Sequence, residues 1–434
     1  MSAFLQMNRS RAHSIFVRLL GGALLLPVLL YLLVWAINWR DAAPTPEATR
    51  LEQMAGRRPA LPDSDNGYLA LIAMQQQFGT DGHRKRKLAP PFQNLLELCT
   101  QRDQVCARAL DAGEHEVRAW LVQDAAPLRQ YEQLIGHSGW RFPPIANADG
   151  PWPDFRPLFD GQRLLMLRAW TLARAGDAAG VRALLEKDAR FWRIALASSD
   201  DLLGKMITAK GTQLHLTWGN LVLRSLPPEA QRSAIPAMWQ VPISIDERSV
   251  LPVAGGEMRL VRFTLTDMLA RTDDPKGAWN EFAAFFVRPL IKPQASLNDY
   301  AADVIGIATL LDVDYSKLPA AKTEAKVIVE RARSSGRFWN GYNLVGKALA
   351  DDNREVVLKN GLRLADLEGV RMAALATVEL RSSGVPAEQV EKALRTAAAE
   401  SPYPGKPFWW HASTGSVVFD GLEAGDPGVH AFVY

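Results

Sequence analysis

The chain has 434 residues, 48% hydrophobic and 22% charged, which allows a large core and two or three structural units. Its net charge of +3 is uneven: residues 1–40 hold Arg9, Arg11, Arg18 and Arg40 and no acid, leaving 46 basic against 47 acidic residues elsewhere. A body without a basic surplus excludes the usual electrostatics of nucleic-acid binding, so no nucleic-acid partner is expected.

No residue from Leu19 to Trp39 is charged. At about 1.5 Å per residue such a helix crosses a hydrocarbon core of about 30 Å. Tyr31, Trp35 and Trp39 gather toward its far end, where aromatic rings favour the headgroup level. The run is longer than the apolar part of a cleavable signal peptide, and no Cys follows it for lipid attachment. Residues 1–18 are then a cytoplasmic tail, held inside by their arginines. Residues 19–39 are a transmembrane helix, and the mass of the chain lies in the periplasm. Residues 40–65, broken by Pro44, Pro46, Pro59 and Pro62, read as a linker.

The only cysteines, Cys99 and Cys106, are seven apart. In one continuous helix they would lie about 10 Å apart, too far to bond. They are therefore either bonded across a turn at Thr100–Asp103 or reduced and buried. From residue 66 to 400 helical patterns dominate. Glu114–Leu134 reads as one helix, and Gly161–Arg174 and Ala178–Ala197 form a hairpin about Gly176-Asp177. Between them, residues 136–159 carry five prolines among Trp140, Phe142, Trp152 and Phe155, a composition that cannot propagate a helix. Asp188 falls on the apolar stripe of the hairpin's second helix. Lys210 falls on that of the next, so the two are expected to pair. Further helices follow at Gly256–Arg271, Gly277–Phe286, Asn298–Leu311, Pro319–Arg333, Leu362–Arg381 and Ala387–Ala399. Residues 401–434 change to aromatic and β-branched clusters around Ser413-Thr414-Gly415, the pattern of a small antiparallel meander.

The fold class is therefore mainly α, with repeat-like helical hairpins behind one transmembrane helix and a small β tail. Chemical motifs are sparse. Gly341-Tyr342-Asn343-Leu344-Val345-Gly346-Lys347 has phosphate-loop spacing, but Ala348 replaces the magnesium-binding hydroxyl and no strand precedes it, so it reads as a helix-start loop and no nucleotide is expected. Gly136-His137-Ser138-Gly139-Trp140 lacks the second glycine of a nucleophile elbow. The seven histidines have no metal-ligand spacing, so neither a metal nor any other cofactor is expected. Asp188, Glu257 and Asp366 are the carboxylates a glycan hydrolase would need to place across one cleft.

Ser401-Pro402-Tyr403-Pro404-Gly405-Lys406-Pro407-Phe408 resembles the segment before the last strands of type II secretion pseudopilins, although the N-terminus lacks the pseudopilin start. Asp65-Asn66-Gly67-Tyr68, Asp188–Arg193, Asn343–Lys347 and the tail together resemble a group of membrane-anchored, helical proteobacterial proteins. That resemblance implies an envelope location and brings no activity or catalytic residue. The expectation is a non-enzymatic scaffold or interaction module with a protein partner, for which Trp140, Trp152, Phe155, Trp409 and Trp410 are the candidate surface. The alternatives are a cell-wall or glycan hydrolase and an anchored immunity or inhibitor protein.

Overall fold

The computed structural model describes residues 25–56, 61–77, 94–95, 99, 103–142, 153–273, 278–334, 341–396 and 400–434. The chain is mainly helical and ends in a three-stranded antiparallel sheet. Residues 25–37 are helical, and Leu25, Leu26, Leu29 and Leu33 are each more than half exposed. Among the described residues no helix is long and apolar enough to cross a membrane. The expected span over 19–39 begins outside them.

Of the segment read as a linker over 40–65, residues 41–51 are built into the domain, as is Asn38 just before it. The Asn38 side chain donates to Gly341 O at 2.7 Å and accepts from Asn343 N at 2.9 Å. Asp41 accepts from the backbone N–H groups of Gln294 and Ala295, at 2.9 and 3.0 Å. Asn298 exchanges hydrogen bonds with the backbone of Ala43 and Thr45. Helix α1 (Pro46–Gly56) then buries Ala48 and Leu51. Proline content suggested a free tether, but these contacts reach some 250 to 300 residues along the chain and no local pattern shows them.

Helices α2 (Gly67–Gln77), α3 (Asp103–Ala112), α4 (Glu114–Gln123) and α5 (Ala125–Leu134) follow. The helix expected over Glu114–Leu134 breaks at Asp124, whose carboxylate accepts from the indole of Trp120 at 2.7 Å. Cys99 and Cys106 are joined by a disulfide. Next come α6 (Arg156–Arg174) and α7 (Ala178–Ser198), joined through Gly176 at φ +77°. Asp177 caps α7 through Gly180 N, and Asp201 caps α8 (Leu202–Arg224) through Gly204 N. Helices α9 (Pro228–Ala234) and α10 (Ile245–Arg248) make the turn to α11 (Leu251–Asp273) and α12 (Ala278–Val287). The second half holds α13 (Pro293–Leu311), α14 (Leu318–Ser334), α15 (Leu344–Ser382) and α16 (Val390–Thr396). Helix α8 packs on both α7 and α15 and so joins the two halves.

Helix α15 starts 18 residues before the expected Leu362, because the glycines of the phosphate-loop-like motif serve packing. A Cβ on Gly346 would lie 1.9 Å from Ser296 Oγ, so only glycine lets α15 approach α13 here. Gly341 and Asn343, both with positive φ, shape the loop that receives Asn38.

Strands β1 (Trp409–His411), β2 (Ser416–Asp420) and β3 (Val429–Val433) pair in sequence order. Val417, Phe419 and Phe432 form the buried face. Phe419 presses on α15 at Gly369, where a Cβ would lie 1.9 Å from the ring. Gly369→Ala should therefore cost about 1–3 kcal/mol by overpacking. Gly306→Ala, exposed in α13 with nothing within 4 Å, should instead stabilise by about 0.5–1 kcal/mol. Urea unfolding of the detergent-solubilised chain should show the two midpoints moving in opposite directions. Equal shifts would contradict the sheet's docking.

Candidate functional site

Asp188 lies in the core, fully enclosed, and Lys210 is not its partner. The carboxylate accepts from Tyr131 Oη at 2.5 Å, Gln162 Nε2 at 3.2 Å and His215 Nδ1 at 2.7 Å. The indole of Trp239 can only donate, and it donates to His215 Nε2 at 2.7 Å. The His215 proton is thereby assigned to Nδ1, facing Asp188. Lys210 lies exposed with its ammonium 3.4 Å from Gln213 Oε1. Five residues separate positions 210 and 215, about 140° around the helix, so they face different ways. The buried cation of α8 is Lys205, which donates to Leu196 O at 2.7 Å, near the C-terminal end of α7.

The three candidate carboxylates are not brought together. Asp188 is sealed among its donors, and Glu257 accepts from Leu202 N at 2.8 Å beside a separate cavity of about 40 Å³. Asp366 accepts from Leu422 N, Glu423 N and Tyr403 Oη at 2.7, 2.8 and 3.0 Å, and so pins the segment that resembles the pseudopilin tail. Burial raises its pKa to about 6.

Of the expected aromatic surface, Trp140 is buried, its ring edge-on to Tyr68 and Phe191. Its loop is clasped by Asn66, whose side chain bonds both backbone polar groups of Arg141. Phe155 is half-buried near Tyr68, and Trp152 falls outside the described residues. Trp410 is half-buried against Tyr434, whereas Trp409 is 38% exposed.

Trp409 leads to the cleft. Alternate residues of the sheet, Trp409, Ser416, Val418, Val429 and Ala431, share the face turned away from α15 and line a cavity of about 650 Å³ against α8. The Cys99–Cys106 disulfide lies on its wall. A second cavity of about 330 Å³, between α8, α15 and the β2–β3 connection, shares Lys210, Gln213 and His430 with it. The two form one cleft. Among the described residues its basic side chains are Lys210, Arg163 and Arg363, and Asp366 is the one lining carboxylate. Arg163 and Arg363 are held by Asp160 and Glu423 at 2.7 and 2.5 Å. His430 stacks on Phe419 and meets Gln213 Nε2 at 3.1 Å, and burial lowers its pKa to about 4. Sequence reasoning missed Arg163, Arg363, Gln213 and His430, which come from four distant elements and share no spacing.

Among the described residues no group of three or more His, Cys, Asp or Glu could hold a metal ion. No known protein family, curated protein or solved structure matches this chain.

Two outcomes follow. Asp188→Ala leaves three buried donors without their acceptor, so the urea unfolding free energy should fall by about 3 kcal/mol. A loss under about 1 kcal/mol would contradict the network. His430 is near 4 when folded against its ordinary 6.5, so the unfolded chain holds more protons between those values. Its contribution is complete above pH 6.5 and is lost as pH falls toward 4. Asp366, raised from 3.8 to about 6, acts oppositely, losing stability as pH rises through that range. Because His430→Gln leaves Asp366 in place, its stability should fall less than that of wild type from pH 7 to pH 4. Parallel curves would contradict the assignment.

Proposed function

We propose that this chain is a single-pass inner-membrane protein with a cytoplasmic N-terminus. Its periplasmic helical domain acts as an interaction module whose cleft takes an acidic segment of a protein partner in the envelope. The anchor reading rests on an uncharged run preceded by three arginines and no acid. The exposed leucines of residues 25–37, which water does not favour in such a cluster, also support it. A disulfide suits an oxidising compartment.

The observation that carries the binding reading is the cleft itself. It is open, acids pair two of its three basic side chains, and it carries exposed Trp409 on one wall and exposed Lys210 at the meeting of its two cavities. The buried acids and imidazole described above are satisfied internally, so they support a scaffold better than a hydrolase.

The test has two arms. Alkaline carbonate should leave the full chain in the membrane pellet, and its release into the supernatant would remove the anchor. A photoreactive residue at position 409 should yield a discrete protein adduct in membranes, whereas one at Val122, 81% exposed, should not. Lys210→Glu should reduce the adduct roughly tenfold by reversing a steering charge. No adduct beyond the Val122 background would overturn the binding reading.

A further inference from the structure

Helix α12, Ala278–Val287, carries Glu281 as the single charge in its ten residues. Phe282 is 57% exposed, Phe285 67% and Val287 39%, the first two being the only exposed phenylalanines among the described residues. These side chains adjoin the apolar N-terminal helix. Tyr31 Oη donates to Phe285 O at 2.9 Å, and the Tyr31 ring lies 4.8 Å from that of Phe286.

We propose that α12 is a second membrane contact, an interfacial helix whose Phe282, Phe285 and Val287 enter the outer leaflet of the bilayer beside the N-terminal helix. The inference rests on the anchor reading above and adds a surface that reading does not require. Depth argues for it. If Trp35 marks the headgroup level, Tyr31 lies four residues deeper in the same helix, about 6 Å. Phe285, bonded to Tyr31, is carried to the same depth, which matches the roughly 5–10 Å burial of interfacial helices. Arg288 and Lys292, just beyond the helix, have stems long enough to return their charges to the headgroups. Continuity with the exposed leucines of residues 25–37 makes lipid the occupant, since one apolar environment covers both surfaces.

The full chain would be reconstituted in vesicles of phosphatidylethanolamine and phosphatidylglycerol, with Phe285→Cys carrying an environment-sensitive fluorophore. Both native cysteines are bonded, so the label is unique. Val287→Cys gives an independent reading should the first site disturb folding, and Val122→Cys supplies the aqueous reference. The expected result is blue-shifted emission, quenching by lipids spin-labelled high on the acyl chain, and several-fold weaker quenching by aqueous iodide than at Val122. Protein that floats with the vesicles while its label is as iodide-accessible as the reference overturns this inference and leaves the anchor standing. A label shielded from both iodide and lipid quenchers overturns it in favour of a protein occupant. Protein that fails to float overturns the anchor and this inference together.

Discussion

The carboxamide of Asn38 is the joint on which the arrangement depends. It is 2% exposed, and it uses its donor on Gly341 O and its acceptor on Asn343 N. A buried amide with both ends satisfied fixes direction as well as distance, because breaking either bond strands a polar group. Three residues later Asp41 receives the first backbone donors of α13, where a carboxylate also meets the positive end of the helix. The apolar N-terminal helix is thus a continuation of the domain, set by the starts of α13 and α15.

Helix α15 carries that joint to the cleft. Arg363 and Asp366 lie about 20 residues beyond its start, roughly 30 Å along the axis. Gly369, a little farther, receives Phe419 and seats the sheet. One helix therefore connects the apolar end of the molecule to the surface with the exposed Trp409 and Lys210. Beside it, α8 contributes to both sides: its inward face holds His215 and Lys205, and its outward face presents Lys210 and Gln213 to the cleft. The Asp188 network needs no cation. Three neutral donors converge on the carboxylate, and the indole of Trp239 closes the chain at His215.

Much of the helical framework was legible locally. The hairpin of α6 and α7, its Gly176-Asp177 turn and the late meander all follow from periodicity and turn chemistry. What was hidden depends on contacts between distant positions. The loop at 341–347 was legible as a helix start, but not that α15 runs unbroken from it to Ser382 or that Gly346 is there for close packing against Ser296. Prolines disguised the start of the 40–65 segment as a tether, because the partners of Asp41, Ala43 and Thr45 lie beyond residue 290. Lys210 was placed on the core-facing stripe of α8, whereas the buried cation is Lys205, about 140° around the helix from it, because the face turned inward is rich in small and polar residues such as Gly204, Thr208, Gly211 and Thr212. Trp140 read as a surface aromatic for want of any signal that Tyr68 and Phe191 enclose it. The cleft had no signature, being assembled from α6, α8, α15 and the sheet.

The central claim is that the apolar helix and the domain are one body. Spin labels at Leu30 and Ala302, on the helix and on an exposed position of α13, would report it by pulsed dipolar spectroscopy of the full chain in lipid nanodiscs. A single narrow distance distribution, broadened by Asn38→Ala combined with Asp41→Ala, is the result this account predicts. A broad distribution in the unmodified joint, unchanged by those substitutions, would contradict it.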